Sequence, residues 1–548
     1  MNNSNKINRR QFLKLTSMAT ATTLSLSMGF PILGHAYTAE NLTDDSQFDV
    51  IIIGTGYGAA VTALRLAEKG IRCLMLEMGL DWQEQNKQTG LKFSGMAWAE
   101  KQSTWLRKTT IAPFANYRVF EKFTGALDRI DFEHVHVYAG RGIGGGSLVN
   151  GGMSVTPTQA YFEEIFPQLD SQLFYRKYFP LANASLGVST IPDDFYQSSA
   201  YYQFSRTGEA EGIKAGYTPV KVPNVYDYDY MRKEEAGEVT KSGLSDEVIY
   251  GNNYGKKDLT KTYLKQALAT GNVTILGLHK VEQIVENLSK ETNAISYSIK
   301  VSQINTKGET VKNKTYHTNK LFLGAGSLGT TELLLKSQAK GTLNHIDSEV
   351  GKYWGNNGNV MATRSGIKKP LGKKQAAIPA VGLSKWTKDK DAVFAEVAPF
   401  PVGIDFRTAL YLVINRVSKY GKLSYNHKQN KLALNWDNNH TEQMVKNAGM
   451  FLDTMNAANG GLRGAIFRHG KDWGINPKIC YHPLGGCVLG KATDQFGRLK
   501  NYQGLYITDG ALIPASIGVN PYVTITALAE YCIENVLQQD FKDELKHT

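Results

Sequence analysis

Three polar residues in the second half of the chain stand where chemistry is possible. In Cys480-Tyr481-His482-Pro483-Leu484-Gly485-Gly486 a proline fixes the backbone beside the histidine, and two glycines leave room around its ring. Asn520 occupies a second short turn bounded by glycine and proline, Gly518-Val519-Asn520-Pro521, shortly before a helical pattern over Ile525 to Leu537. A lone histidine is usually structural, but one accompanied by such an asparagine turn points to a site. Glu396 falls between Ala395 and Val397 in the strand-like run Val393 to Val397. It reads in two ways: an acid on an edge strand, salt-bridged in water, or a carboxyl in a dry pocket acting as a proton carrier.

The elements that must position these groups begin with Phe48 to Glu77, FDVIIIGTGYGAAVTALRLAEKGIRCLMLE. Val50 to Ile53 is a continuous apolar run suited to a strand buried on both faces of a parallel sheet. Gly54, Gly56 and Ala59 follow where a dinucleotide fold needs a tight turn, a close backbone approach to pyrophosphate, and close packing of helix on strand. The spacing predicts a helix over Ala59 to Lys69, whose N-terminal N–H groups hold phosphate, and a strand over Cys73 to Leu76. That strand delivers Glu77 to the ribose hydroxyls.

A second glycine-dense stretch, Gly140 to Met153 (GRGIGGGSLVNGGM), contains Ile143, Leu148 and Val149, which a flexible linker would not. It reads as a backbone platform against a flat cofactor ring, with Asn150 to Met153 beside it. Helix is expected over Thr260 to Ala269, and strands at Val273 to Leu276, Val281 to Val285, Tyr297 to Val301 and Leu410 to Val413. Lys320 to Leu334 repeats strand, glycine turn and helix, returning the chain to the nucleotide-binding domain. The expected fold is α/β, α+β overall, with a discontinuous Rossmann-like domain over 44–80, 255–350 and 495–540. A sheet-and-helix substrate domain over 81–254 and 351–494 is inserted in it.

The bulk properties narrow the partners. The 548 residues carry a formal net charge of +12, with basic residues scattered among acids. No zinc-finger spacing, recognition helix or arginine-rich run supports nucleic-acid binding. Cys73, Cys480, Cys487 and Cys532 match neither a disulfide framework nor a common zinc pattern, so neither a structural disulfide nor a metal is expected. Residues 1–36 read as a twin-arginine signal peptide, with Arg9-Arg10-Gln11-Phe12-Leu13-Lys14, a weakly apolar stretch, and cleavage after Ala36. Export by that route makes the protein secreted or periplasmic, and no other stretch is long enough to span a bilayer. Trp105 to Phe123, aromatic and basic, reads equally as a buried irregular connection or as a mobile apolar loop over a greasy substrate or membrane surface.

These motifs together resemble the sterol-oxidising branch of the glucose-methanol-choline oxidoreductase family, in the same order from Phe48 to the last helix. The histidine segment is common in that family; NGGM and Phe394-Ala395-Glu396 are more specific to the branch. The resemblance implies a non-covalent FAD, a sterol substrate and dioxygen as acceptor; transient contact with a membrane surface, from the Trp105 to Phe123 segment, and a monomeric protein are expected beside it. It implies oxidation of a 3β-hydroxyl with hydride passing to the flavin, followed by movement of the ring double bond. His482 and Asn520 would position the hydroxyl and Glu396 would move a proton from C4 to C6. Cofactor contacts would come from Tyr57, Gly58, Glu77, Gly146, Asn150, Gly151, Met153, Val281, Gly510 and Tyr522, the last replacing the family's usual Phe. Two other readings are a dehydrogenase of another lipophilic alcohol with a non-oxygen acceptor, and a sterol- or membrane-binding protein with a vestigial flavin.

Overall fold

Val50–Ile53 has no polar side chain to offer water, and in the computed structural model it is the middle strand of a five-stranded parallel sheet, buried throughout. The structure describes residues 46–83, 101–109, 120–244, 254–289, 291, 295–400 and 403–542. The sheet order is Leu505–Ile507, Leu321–Leu323, Val50–Ile53, Cys73–Leu76 and Val273–Leu276, so strands far apart in sequence meet in one layer. This is the α/β arrangement that the glycine turns imply. A four-stranded sheet lies beside it in the chain path, with Ser46–Phe48 parallel to Thr310–Thr318 and the long strands Ile295–Ile304 and His279–Leu288 antiparallel beyond.

The helix after the first glycine turn spans Tyr57–Ala67, and the C-terminal helix spans Tyr522–Asp540. Both start earlier than periodicity indicates, because their first residues are tyrosines that line the cavity at the edge of the core. The two helices pack together and are tied by Arg65, which makes two 2.7 Å hydrogen bonds to the carboxylate of Glu530. Such a fork-to-fork pair fixes orientation as well as distance. The helix expected over Thr260 to Ala269 is interrupted. Leu259–Lys261 forms one 3₁₀ turn and Tyr263–Ala269 an α-helix. Asp258 caps Thr260 N–H at 2.8 Å and its carbonyl accepts the Thr262 hydroxyl at 3.0 Å, local bonds that compete with a continuous helix.

The second large sheet carries Glu396. Its path runs Leu462–Arg463, Val360–Ser365, Thr408–Asn415, Val393–Ala398, Val381–Lys385 and Thr218–Lys221, with Ile475–Asn476 also paired to Val360–Ser365. Val393–Ala398 is therefore an interior strand, hydrogen-bonded to Val381–Lys385 on one side and Thr408–Asn415 on the other. The edge-strand reading of Glu396 is ruled out. Arg364, fully buried in this sheet, is balanced by Glu211 at 2.7 Å, and its other N–H groups meet Asn456, Met455 and Gly460. A charge taken out of water is tolerated when its donors are answered in this way.

Cys73, Cys480, Cys487 and Cys532 are buried and unbonded. Among the described residues no helix is long and apolar enough to cross a membrane. The signal-peptide reading of 1–36 lies outside the described residues, as does 110–119 within the aromatic segment. Its flanks are pinned irregular chain: Trp105 is buried and its N–H donates to Leu127 at 2.8 Å, while Leu106 N–H donates to Phe123 at 2.7 Å.

Candidate active site

A single cavity of about 460 Å³ runs between the parallel sheet and the sheet carrying Glu396. At its nucleotide end Gly54 takes φ +94°, which turns the chain out of the strand, and a side chain at Gly58 would strike the Thr508 carbonyl oxygen at 1.5 Å. Gly56 and Gly146, by contrast, are open. A Cβ on Gly56 would meet nothing nearer than 3.9 Å, and one on Gly146 nothing within 4 Å, so both leave a cradle facing the cavity. The helix starting at Tyr57 has no side-chain cap, which leaves its first N–H groups for a ligand.

Glu77 ends the second strand inside this cradle. Its carboxylate accepts the Thr55 hydroxyl at 2.8 Å and the N–H groups of Gly79 and Gly142 at 3.0 and 3.3 Å. Burial raises its pKa, and these donors together with Arg141 pull it partly back. Asp509 is similarly held, by Ala511 N–H and Gly326 N–H, each at 2.8 Å, and by the Thr330 hydroxyl at 2.5 Å. Burial pushes Asp509 up to about 6 against the pull of those donors.

The glycine-rich platform borders the middle of the cavity. Asn150 donates to the Tyr57 hydroxyl at 2.6 Å, and its carbonyl accepts from the ammonium of Lys256. Lys256 is itself buried, which lowers its pKa to about 7 despite nearby Asp258. The buried amine thus holds the platform from behind.

The far end is apolar, walled by Met361, Leu410, Leu412, Phe467 and Ile479. Glu396 is the one carboxyl among the described residues lining this end, and neither of its oxygens has a hydrogen-bond partner in bonding geometry. Burial pushes it up to about 8; Asn520, close beside it, draws it slightly back. Such a group is mostly protonated at neutral pH and becomes a base just above it.

His482 is held neutral, because burial drops its pKa to about 3. Its tautomer follows from Asn357. The Asn357 carbonyl oxygen accepts from Ile517 N–H at 2.9 Å, so its amide nitrogen is free to donate to Val519 O at 2.8 Å and to His482 Nδ1 at 3.3 Å. With Nδ1 accepting, the proton sits on Nε2 and is available to a substrate oxygen. The same Asn357 ties the histidine to the turn that carries Asn520.

The structure brings Glu396, His482 and Asn520 and all ten expected cofactor residues, Tyr57, Gly58, Glu77, Gly146, Asn150, Gly151, Met153, Val281, Gly510 and Tyr522, to this one cavity. Sequence reasoning missed Asn357 and Lys256, and it read Asp509 only as an acid ending the strand from Leu505, with no part in the site. The Gly355-Asn356-Asn357-Gly358 run was the sequence signal of a special turn, and Asn357 does take a positive φ of 57° there. The open glycine cradles, the uncapped helix and the acid at the strand end fit FAD. Among the described residues no group of three His, Cys, Asp or Glu could hold a metal ion.

Comparison with known proteins agrees with this architecture. A GMC oxidoreductase model matches residues 48–353, a second matches 418–529, and a C-terminal GMC oxidoreductase model matches 357–467. A cholesterol oxidase of Acinetobacter baumannii is 23% identical, over 92% of this chain and 96% of its own. A long-chain-alcohol oxidase of Arabidopsis thaliana is also 23% identical, over 91% of this chain and 68% of its own. Among solved structures, formate oxidase of Aspergillus oryzae superposes with a TM-score of 0.61 at 13% identity, covering 92% of this chain and all of that one. Pyridoxine 4-oxidase from Mesorbium loti gives 0.57 at 14%, over 90% and 99%. At these identities the structures speak for the fold alone.

Proposed function

Because the chain belongs to the GMC oxidoreductase family, we propose that it is an FAD-dependent sterol oxidase that also isomerises its product. It oxidises the 3β-hydroxyl of a cholesterol-like sterol to the ketone, with dioxygen as acceptor and hydrogen peroxide as product, and converts the 5-en-3-one to the 4-en-3-one. The observation that carries this reading is Glu396, a buried carboxyl among apolar walls with no neighbour but the Asn520 amide to draw its pKa down.

An apolar substrate with one hydroxyl is fixed in such a cavity by its polar handle. Nε2–H of His482 donates to the hydroxyl oxygen, and the amide of Asn520 supplies the second contact, while the hydride from C3 and the hydroxyl proton end as the two hydrogens of hydrogen peroxide. The glycine cradle and the platform would hold FAD non-covalently, and when bound it would supply the hydride acceptor. Glu396 then removes a proton from C4 of the ketone, the electron pair of the broken C–H bond moves the double bond into conjugation, and the carboxyl returns the proton at C6. The Met361, Leu410 and Leu412 side chains keep water from competing for it. A saturated long-chain alcohol would use His482 and Asn520 but leave Glu396 idle.

Export by the twin-arginine route, action as a monomer and transient contact with a membrane surface belong to the same proposal. Support for the contact comes from Ile404 and Phe406, 58% and 57% exposed at the outer end of the substrate sheet next to Arg407. The test is aerobic incubation with cholesterol, measuring peroxide and separating the steroid products. Peroxide with 4-en-3-one supports the reading. Reduction of an added dye without peroxide would favour a dehydrogenase, and binding without turnover a sterol carrier.

A further inference from the structure

Two tyrosines hold matching places in the fold. Tyr57 is the first residue of the nucleotide helix and Tyr522 the first of the C-terminal helix. Their rings stack, with centroids 4.7 Å apart and planes 17° from parallel. Each phenol reaches the Asn150–Ser154 strip, Tyr57 at the Asn150 side chain and Tyr522 at the Gly152 backbone. Tyr57 accepts the Asn150 amide at 2.6 Å, while Tyr522 donates to the Gly152 carbonyl at 2.7 Å.

A phenol has one proton, so with that proton on Gly152 its oxygen accepts from Ser154, whose hydroxyl lies against it. Ser154 is also 3.1 Å from the same Gly152 carbonyl, and Val225 N–H holds that carbonyl from behind at 3.1 Å. Tyr522 and Ser154 are both buried, so none of these groups has water to fall back on. A phenylalanine at 522 would stack equally well and hold nothing.

We propose that the stacked pair is a two-point clamp that sets the Asn150–Ser154 strip against the turn bearing Asn520, which makes Tyr522 and Ser154 positioning residues for the proposed oxidation. The lever is short. Only Pro521 separates Asn520 from Tyr522, so the bond to Gly152 fixes the Asn520 turn relative to the platform. Burial keeps the Tyr522 phenol protonated, hence a donor, across the working pH range. The inference rests on the reading of the strip as the surface that meets the flavin.

The test uses holoenzymes of Tyr522→Phe, Ser154→Ala and the double variant, followed by flavin reduction at saturating sterol and by visible circular dichroism of the bound flavin. In each single variant the remaining hydroxyl still reaches Gly152, so the rate falls by no more than about threefold. In the double variant it falls about thirtyfold, beyond the product of the singles, with KM within about twofold and an altered flavin signal. A double variant that equals the product of the singles, or that loses thermal stability while rate and flavin signal stay as in the wild type, overturns the clamp. Should the double variant not fold, Tyr57→Phe gives the second measurement: a changed flavin signal with a lowered rate supports the clamp, an unchanged signal refutes it. Wild-type protein that purifies without flavin would refute the cofactor reading itself, and the clamp with it.

Discussion

The two ends of the cavity treat their buried acids in opposite ways. At the nucleotide end Glu77 and Asp509 each accept three hydrogen bonds, from hydroxyls and backbone N–H groups placed by glycine turns. At the substrate end Glu396 accepts none in bonding geometry. A fully answered carboxylate is a binding group, since its charge and lone pairs are committed to geometry. One left unanswered in an apolar pocket is unstable as an anion, and that instability makes it a base. In the proposed function one end holds a ligand still and the other moves a proton.

The harshest way to break this contrast is at the holding end. Gly58→Val places a side chain on the Thr508 carbonyl, and the expected result is loss of bound flavin together with about 4 kcal/mol or more of stability, read from the flavin-to-protein ratio and a denaturant titration. At the reactive end, Glu396→Gln is expected to slow isomerisation by about 10²- to 10⁴-fold while alcohol oxidation stays within about threefold, so that 5-en-3-one accumulates. Asn520→Leu should slow flavin reduction by roughly 10²-fold with sterol affinity nearly kept; equal losses in both would reduce Asn520 to a binding group.

The smallest effect concerns stability. The Glu396 pKa rises from 4.5 to about 8 on folding, so between those values the folded state holds a proton that the unfolded state has lost. Stability from this group is therefore greatest at low pH and declines as pH climbs through that window. Glu396→Gln removes the slope and should melt a few degrees above the wild type near pH 9. The wild-type isomerisation rate should rise with pH through about 8, where the carboxyl becomes a base.

The difference between the two ends also explains what could be read from the chain. The part of the holding end that could be read is local: Gly54, Gly56, the helix after them and Glu77 lie within one short unit, whereas Gly142, Gly326, Thr330 and Asp509 reach it from other segments. The reactive end is assembled from afar. Whether Glu396 sat on an edge or an interior strand depends on Val381–Lys385 and Thr408–Asn415 flanking it, an order that alternation within one strand does not encode. Asn357 fixes the His482 tautomer across 125 positions of sequence, and Lys256 reads as an ordinary solvated lysine until the fold buries it under Asn150.

Anaerobic mixing of the purified protein with cholesterol, following flavin absorbance and then enone absorbance, tests most directly whether one cavity holds a ligand at one end and moves a proton at the other. The account predicts bleaching of the flavin followed by conjugated enone, with Glu396→Gln giving the first and not the second. Bleaching with enone formation unchanged in Glu396→Gln, or no bleaching by any sterol, would contradict it.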